Sequence, residues 1–455
     1  MDFVSINPTT GKEIARHAPM SENDIEDVLA KGARAFAEWR MTSFDDRAKV
    51  LVGFADALEA NKADLAAGIT EEMGKPTTQA IGEVEKSAFL CRHLAEHAGA
   101  YLSADTLNIN GDEVVIRPDP LGLLYSVTPW NFPVWQMVRF AAPAIAAGNP
   151  VVVKPAPNVI GVSKLVIEAL AKVSPVALYQ ALIIDHQQSD NVIADKRVAA
   201  VGLTGSERAG AAVAAVAGQN LKKVLLELGG SDPFIVLEDA DIERAAAIGA
   251  KSRFMNTGQV CIAAKRFIIA DKVYDKFRDA FAAEAEALKI GDPTESDTFL
   301  GPMARADLRD IVVRQTDESI SLGAQPIVRG GPQDGDGFFY SPTVLEAAPD
   351  NAPVACQEVF GPTAVLYRVK DDNTAIERAN NTAYGLSAAI WSGDTARAEA
   401  LAQRIDAGGV FINGFSQSHP ETPIGGVKIS GFGRELGRDG VREFTNVKTI
   451  WKTAL

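Results

Sequence analysis

The sequence predicts an α/β protein built from doubly wound parallel sheets. From residue 123 onward, short apolar runs rich in β-branched residues alternate with longer stretches of helical periodicity. A second region with the same alternation follows Gly230, which places a domain boundary near residue 229. The chain has 455 residues, enough for two or three cores of ordinary size. This order of strands and helices is typical of parallel sheets.

The first part of the chain is predicted to be helical. Apolar residues recur at helical spacing over residues 21–40, 45–67 and 79–100. The pattern changes over 112–127, where β-branched residues surround a proline–glycine turn signal. This segment predicts a hairpin that projects from the helical part.

The elements after this hairpin follow from the apolar runs. Strands are predicted at LLYSVTP, PVVVKP, ALIID, VAAVGLTG and KKVLLELGG, and helices from Val134 to Ala147, over 160–173 and from about Arg208. After Gly230 we predict strands at PFIVL, KRFIIA, 343–346, 363–369 and 408–413, and helices over 241–255 and 272–288. Ligands of such sheets bind at the carboxyl ends of the strands.

Composition and charge exclude several classes of protein. The net charge of −14 argues against a surface that binds duplex nucleic acid, because phosphate neutralisation needs clustered Lys and Arg. No segment is apolar for long enough to cross a membrane, and the N-terminal residues lack a secretory pattern. Three cysteines give no disulfide framework, and no metal-ligand pattern is predicted. We therefore expect a cytoplasmic globular protein.

Two short segments suggest a reactive site. NTGQVC ends at Cys261, and the residues before it predict a flexible turn that lets backbone approach the sulfur. LELGG places Glu227 at the carboxyl end of a predicted parallel strand, facing a ligand crevice. Together they suggest a thiol nucleophile and a general base. Taken alone, Cys261 could be a small buried hydrophobe, and Glu227 a surface or capping residue.

Three further features suggest ligand binding. Asn131 follows a strand and lies near a helix start, where its amide can donate to a developing oxyanion. Lys154 ends an apolar strand, where a cation needs hydroxyls or phosphate as partners. GLTGSERAG, at 202–210, joins a strand to a helix without the full glycine fingerprint of a dinucleotide site. It predicts either a phosphate-binding turn or an ordinary strand-to-helix connection.

Seven motifs, in order, resemble the aldehyde dehydrogenase superfamily over essentially the whole chain. They are PWNFP, KPAPN, TGSERAG, LELGGSDPF, NTGQVC, EVFGP and GGVKISGFGRE. The resemblance implies two doubly wound parallel-sheet domains and a small β oligomerisation domain, assembled as a homodimer or homotetramer. The implied cofactor domain covers 1–112 and 127–228, the catalytic domain 229–421, and the oligomerisation domain 113–126 and 422–455.

The resemblance also implies a role for each matching position. Cys261 would be the nucleophile, Glu227 the general base and Asn131 the oxyanion donor. The cofactor, NADP or NAD, would lie against Thr128, Pro129, Trp130, Lys154, Ala156, Pro157, Gly205, Ser206, Glu227, Leu228, Gly229, Glu358 and Phe360. Relatives that prefer NAD commonly carry a glutamate at the position of Pro157, so we expect that NADP is at least tolerated. Relatives that transfer the acyl group to coenzyme A typically lack the glutamate found here as Glu227, so its presence implies a free carboxylic acid product.

Several segments are most similar to the bacterial succinate-semialdehyde dehydrogenase branch. In that branch an arginine eight residues after the PWNFP asparagine binds the distal carboxylate, and here that residue is Arg139. Ser418 matches a serine that assists, and Trp135 and Phe415 are expected to line the tunnel. A bidentate pair with Arg139 would orient a carboxylate in an apolar tunnel. An arginine that bridges helices is the alternative.

The resemblance therefore predicts oxidation of succinate semialdehyde to succinate through a thiohemiacetal and a thioester on Cys261. Glutarate semialdehyde or an aliphatic aldehyde is the nearest alternative substrate. A cysteine acyl-hydrolase without a redox step, and a non-catalytic binding protein on the same fold, are more distant alternatives. The expected partners are a small aldehyde and further copies of the chain, with neither nucleic acid nor membrane.

Overall fold

The computed structural model describes residues 2–453, and residues 1, 454 and 455 of the predicted domain ranges lie outside the described part. The helices are α1 (Glu22–Trp39), α2 (Phe44–Ala60), α3 (Lys62–Met73), α4 (Thr77–Tyr101), α5 (Pro133–Ala146), α6 (Ile160–Ala171), α7 (His186–Ala194), α8 (Glu207–Gln219), α9 (Ile242–Phe254), α10 (Tyr274–Glu286), α11 (Ala306–Ser321), α12 (Pro353–Cys356), α13 (Asp372–Asn380), α14 (Thr395–Ala402) and α15 (Gly437–Glu443).

The strands are β1 (Phe3–Ile6), β2 (Glu13–His17), β3 (Asp105–Ile109), β4 (Asp112–Pro120), β5 (Leu123–Val127), β6 (Val151–Lys154), β7 (Tyr179–Ala181), β8 (Val198–Thr204), β9 (Lys223–Glu227), β10 (Asp232–Val236), β11 (Ala264–Ala270), β12 (Gln325–Val328), β13 (Gly331–Pro332), β14 (Tyr340–Ser341), β15 (Thr343–Glu346), β16 (Thr363–Val369), β17 (Ser387–Trp391), β18 (Gly409–Ile412), β19 (Gly431–Phe432) and β20 (Thr445–Lys452).

The first large sheet has six strands in the order β19-β9-β8-β5-β6-β7. β5 to β9 run parallel, and β19 pairs with β9 antiparallel at one edge. All four residues of β6 are buried, as expected for a strand covered on both faces. The register sets Val127 opposite Lys154 and Thr204 opposite Glu227. The carboxyl ends of four strands therefore form one continuous edge.

The second large sheet has seven strands in the order β12-β15-β16-β11-β10-β17-β18. All its neighbours run parallel except β12, which is antiparallel to β15 at the edge. A buried aromatic cluster that includes Phe234, Phe267 and Phe277 packs against this sheet. Two sheets of this kind confirm the predicted fold class.

One predicted element is wrong in its pairing. Residues 112–127 do not form a hairpin, because β4 pairs with β3 before it and β5 joins the six-stranded sheet. The turn is made by Asn110 and Gly111, whose φ angles of 56° and 96° suit a two-residue hairpin loop. β20 pairs along the other side of β4 and completes a three-stranded antiparallel sheet. β5 is instead an almost fully buried apolar strand.

The helix predicted over 45–67 is two helices, α2 and α3, which meet at Asn61. The Asn61 Nδ2 donates to the carbonyl of Ala57 at 2.6 Å, and its φ of −102° and ψ of 14° leave the helical region. A local side-chain bond of this kind ends a helix without proline or glycine. Within residues 2–453, no helix combines the length and apolar character that a membrane crossing requires.

Candidate functional site

The loop that carries Cys261 has an unusual backbone. Between α9 and β11, Met255–Gly258 form a 3-10 turn in which Asn256 and Thr257 have φ angles of 53° and 55°. This left-handed conformation is unfavourable for a β-branched residue such as threonine. The Thr257 hydroxyl donates to the carbonyl of Gly301 at 3.0 Å, which helps to hold it. Such conformations persist only where the surrounding structure enforces them.

Two glycines allow backbone to pack directly against this loop. A Cβ on Gly258 would lie 2.6 Å from the carbonyl carbon of Gly361. A Cβ on Gly230 would lie 2.8 Å from the carbonyl oxygen of Cys261. Gly230 therefore allows the segment after Glu227 to pack against the backbone of Cys261.

Asn131 is buried and contacts the same loop. Its Nδ2 donates to the carbonyl of Gln259 at 3.0 Å, and its own carbonyl accepts from Asn256 Nδ2 at 2.9 Å. One amide proton of Asn131 therefore remains for another acceptor. Within residues 2–453, the Cys261 N–H makes no hydrogen bond. These two donors are suited to an oxyanion beside the sulfur.

Glu227 ends β9 with 3% of its surface exposed, and its Oε1 has no hydrogen-bond partner in the described chain. Burial raises the pKa of this carboxyl to about 8, although the positive charge of Arg139 acts in the opposite direction. The charge of a neighbouring carboxyl, Glu435, also contributes to the raised pKa. A carboxyl that titrates near neutral pH is suited to proton transfer.

Cys261 is half-buried, and its thiol interacts electrostatically with Glu227, Arg139 and Lys265. Burial raises the pKa of the thiol to about 11, because it disfavours the thiolate more than the two cations favour it. Lys265 Nζ donates to the carbonyls of Cys261 at 2.6 Å and Val260 at 3.1 Å. The same ammonium lies 3.4 Å from a carboxylate oxygen of Glu358. Lys265 thus fixes the nucleophile's backbone and adds positive charge beside it.

Replacement of Lys265 by methionine is expected to raise the pH at which Cys261 reacts with iodoacetamide by about one unit, because a nearby cation stabilises the thiolate. The measurement is the alkylation rate of the Cys261 peptide against pH, followed by mass spectrometry. Lys272→Met is the matched control, since Lys272 is exposed and paired with Glu238. Equal profiles for the two variants would show that Lys265 does not act on the thiol.

The predicted cofactor residues lie along the shared edge of the six-stranded sheet. The Thr128 N–H donates to the Lys154 carbonyl at 3.1 Å, and the Gly205 N–H to the Glu227 carbonyl at 3.0 Å. Ser206 caps the N-terminus of α8, accepting from the Ala209 N–H. The remaining predicted positions on this edge are Pro129, Trp130, Ala156, Pro157 and Leu228.

Glu358 and Phe360 approach this edge from the second sheet's side. Glu358 Oε1 accepts the Gly230 N–H at 3.0 Å, and a Cβ on Gly229 would lie 2.5 Å from its other oxygen. The rings of Phe360 and Trp130 are 5.7 Å apart and perpendicular. A carboxylate and an aromatic face are thereby placed beside the strand ends.

The surroundings of Lys154 indicate whether this edge can bind a nicotinamide dinucleotide. Its side chain is buried at the end of β6, and within residues 2–453 it forms no ion pair. Burial lowers the pKa of the ammonium, and the charge of Asp185 opposes this. A buried cation without a partner favours an anionic or hydroxyl-bearing ligand. Together with a helix N-terminus at Ser206, the edge fits the ribose hydroxyls and pyrophosphate of such a cofactor.

A cavity of about 340 Å³ opens beside Cys261. It brings together all the predicted substrate residues, namely Trp135, Arg139, Phe415 and Ser418. Its lining is otherwise largely apolar, with Phe132, Met255, Val260 and Ile424 among the contributors. An apolar cavity with few polar groups is typical of a small-molecule site.

Arg139 is already engaged by another residue. Its Nε lies 2.5 Å from Glu435 Oε2, and both side chains are buried. Its Nη2 donates to the Thr204 hydroxyl at 3.4 Å. Arg139 therefore lines the cavity as predicted, but a carboxylate of the protein already balances its charge.

Four positions near the site were not identified from the sequence: Lys86, Arg253, Asn256 and Lys265. Arg253 is fully buried, and its Nη2 donates to the carbonyls of Gly258, Val359 and Gly361. Asn256 and Lys265 flank Cys261 closely in sequence and could have been noticed there as polar residues beside a nucleophile. Lys86 and Arg253 lie within ordinary helical patterns, and only tertiary contacts distinguish them.

Comparisons with known proteins show the family to which the chain belongs. The family model described as the aldehyde dehydrogenase family matches residues 1–450. The chain is 45% identical over 450 residues to the succinate semialdehyde dehydrogenase (NAD(P)+) Sad of Escherichia coli strain K12, covering 99% of this chain and 97% of that protein. It is 42% identical to the succinate-semialdehyde dehydrogenase (NADP+) of Mycobacterium avium strain 104, covering 99% and 97%.

Among solved structures, the fold is similar to the succinic semialdehyde dehydrogenase of Streptococcus pyogenes in complex with NADP+ as the cofactor. The TM-score is 0.96 at 36% identity, with 98% of this chain and 99% of that chain covered. The family model thus matches nearly the whole chain, and both relatives are more than 40% identical to it. The chain belongs to the aldehyde dehydrogenase family.

Proposed function

We propose that this enzyme oxidises succinate semialdehyde to succinate with NADP or NAD as the electron acceptor. The observation that carries the proposal is the charge of the cavity beside Cys261. Among its lining residues are Lys86, Arg139 and Lys251, and the carboxylate that also lines it, Glu83, forms an ion pair with Lys75. In a chain of net charge −14, such a cavity favours an aldehyde that carries a carboxylate.

The first chemical step is addition of the Cys261 sulfur to the aldehyde carbon. The sulfur–carbon bond forms while the thiol proton leaves, and Glu227 is placed to receive it directly or through water. The aldehyde oxygen gains negative charge, which the Asn131 amide and the Cys261 N–H can accept as hydrogen-bond donors. When bound, a nicotinamide would accept the hydride that leaves the aldehyde carbon as its carbon–hydrogen bond breaks, and the carbonyl re-forms as a thioester on Cys261.

The second step is hydrolysis of the thioester that remains on Cys261. After Glu227 has released the first proton to solvent, water adds to the acyl carbon and Glu227 takes a proton from it. The carbon–sulfur bond then breaks to release succinate and the thiol. The raised pKa of Glu227 means that the carboxyl holds a proton at neutral pH and releases it at moderately alkaline pH. The base is thus strong enough to activate water once it is ionised.

Either nicotinamide cofactor is compatible with the edge of the six-stranded sheet. Pro157 is exposed at the position where a glutamate would face the ribose hydroxyls, and Lys154 precedes it by three residues. No carboxylate at this position repels a 2′-phosphate. We propose that Lys154, Ser206 and Glu358 hold the cofactor, with Trp130 and Phe360 beside its nicotinamide end.

The test is reduction of NAD and NADP by the purified enzyme with succinate semialdehyde, glutarate semialdehyde, butanal and propanal. We expect kcat/KM for succinate semialdehyde to exceed that for butanal by about 100-fold or more, because the neutral aldehyde has no carboxylate to interact with the cations of the cavity. Comparable values for the two aldehydes would contradict the proposed substrate while leaving the aldehyde dehydrogenase chemistry intact.

We further propose that the chain forms a homodimer or homotetramer through its three-stranded sheet and C-terminal strand. β20 is an edge strand, and it exposes the apolar side chains of Val447 and Trp451. An exposed edge with apolar residues favours pairing with another chain. In this proposal β3, β4 and β20 form the oligomerisation sheet, whereas residues 123–126 of the range expected from the sequence belong to β5 of the six-stranded sheet. The boundary between the other two domains lies near residue 229. Light scattering coupled to gel filtration measures the assembly directly.

A further inference from the structure

Lys86 places a half-buried ammonium inside the substrate cavity. It lies on α4, and its Nζ donates to the Ser418 hydroxyl at 2.7 Å. The same Nζ lies 4.4 Å from the ring centroid of Trp135. Within residues 2–453, Lys86 has no carboxylate at ion-pair distance, in contrast to Arg139, which is paired with Glu435.

The carboxylate of Glu83, on the same helix, does not form an ion pair with Lys86. Glu83 accepts the N–H groups of Val134 at 2.9 Å and Trp135 at 3.0 Å, and so caps the start of α5. Its other oxygen forms a fully buried ion pair with Lys75. Both oxygens of Glu83 are therefore engaged, one by the N–H groups at the start of α5 and the other by Lys75. The positive charge of Lys86 is thus available to a ligand.

We propose that Lys86, together with Ser418, is a further ligand of the distal carboxylate of the substrate beside Arg139, whose Nε is paired with Glu435. This inference rests on the proposed function and names the residue that selects its substrate. Because the Ser418 hydroxyl accepts from Lys86, its own proton points away from the ammonium and can be donated. The ammonium has two further N–H groups. Ammonium and hydroxyl can thus converge on the same carboxylate, which makes charge-assisted hydrogen bonds.

The surroundings of Lys86 also predict a pH dependence of substrate binding. Burial and, to a smaller extent, Arg139 of α5 lower the pKa of the ammonium to about 8, although Glu83 of α4 acts in the opposite direction. Lys251 of α9 and Cys261 line the same cavity, and Ser418 is the contact from the segment after β18. Lys86 is charged below this pKa and neutral above it. The KM for succinate semialdehyde is therefore expected to rise above pH 8, with no such rise for butanal.

The decisive variant is Lys86→Met, which keeps the length of the side chain over Trp135 and removes its charge. We expect kcat/KM for succinate semialdehyde to fall by about 10- to 100-fold, mainly through KM, because charge-assisted hydrogen bonds are lost. Turnover of butanal is expected to change by less than about threefold, since it has no carboxylate. The affinity for succinate, measured by calorimetry without turnover, is expected to fall in parallel. Lys86→Arg should restore most of both losses.

Lys49→Met is the matched control, because it removes one positive charge from an exposed lysine of α2 outside the cavity. The assignment to Lys86 is wrong if the wild-type enzyme prefers succinate semialdehyde and the Lys86→Met variant keeps both this preference and the affinity for succinate. A wild-type enzyme that oxidises butanal equally well would instead overturn the proposed substrate and this inference with it. Retained butanal turnover in Lys86→Met shows that the variant is folded.

Discussion

Replacement of Cys261 by alanine is expected to lower aldehyde oxidation by at least ~10,000-fold, because the sulfur forms the covalent bond on which both proposed steps depend. Cys261 is the cysteine that lines the substrate cavity, whereas Cys91 is buried and Cys356 is exposed elsewhere. Binding of succinate should persist in the variant, since Lys86, Ser418 and Arg139 are unchanged. The measurement is reduction of NADP and NAD with succinate semialdehyde, with succinate affinity measured alongside.

Cys356→Ala is the matched control, since it makes the same change at an exposed cysteine and should leave the rate within the error of the assay. Residual oxidation above about 1% in Cys261→Ala would mean that another group attacks the aldehyde. Cofactor-independent ester hydrolysis by the wild-type enzyme, without any aldehyde oxidation, would instead favour a cysteine acyl-hydrolase. The first result would show that Cys261 is not the nucleophile, and the second would show that the reaction is not aldehyde oxidation.

Replacement of Glu227 by glutamine is expected to lower kcat by about 100- to 10,000-fold, because hydrolysis of the thioester loses its base. The amide is close in size to the carboxyl and cannot accept the proton of water. Each subunit should then reduce about one equivalent of cofactor, more slowly than the wild type because the Cys261 thiol also loses its proton acceptor, and stop with a succinyl group retained on Cys261. Rapid-mixing kinetics and mass spectrometry of the intact protein measure the burst and the acyl-enzyme.

The pH profile provides an independent test of Glu227. Burial raises the pKa of the carboxyl to about 8, so the ionised base is scarce at pH 6 and predominant at pH 9. The wild-type kcat is therefore expected to rise with pH through this range, and the rise should vanish in Glu227→Gln. Glu284→Gln, at an exposed position of α10, is the control and should retain the wild-type profile. A Glu227→Gln variant with normal kcat would exclude this residue as the base.

The titrations of Glu227 and Lys86 oppose each other in the expected kinetics. Raising the pH through 8 ionises Glu227 and increases kcat, while it neutralises Lys86 and increases KM for the charged aldehyde. The kcat/KM for succinate semialdehyde should therefore show a maximum, whereas kcat/KM for butanal should continue to rise. The contrast between the two substrates separates the binding group from the base.

The sequence was informative where local pattern decides structure. Alternation of apolar strands and helices predicted parallel sheets, and the ends of β5, β6, β8 and β9 carry the predicted cofactor residues. The errors arose where two local patterns competed. The proline–glycine signal near Gly122 predicts a hairpin turn there, whereas Asn110–Gly111, the stronger signal for a two-residue loop, makes the turn between β3 and β4. Asn61 ends a helix through its side chain, which apolar periodicity does not detect.

The sequence alone determined the fold class, the family resemblance and the short motifs around Asn131, Glu227 and Cys261, because strand ends and tight turns are encoded by neighbouring residues. Only the tertiary structure decided the partners of the buried charges. Glu435 lies far along the chain from Arg139, and Ser418 lies 332 residues from Lys86. Whether a buried cation is available to a substrate depends on which carboxylates fold against it, and a linear pattern does not contain that information.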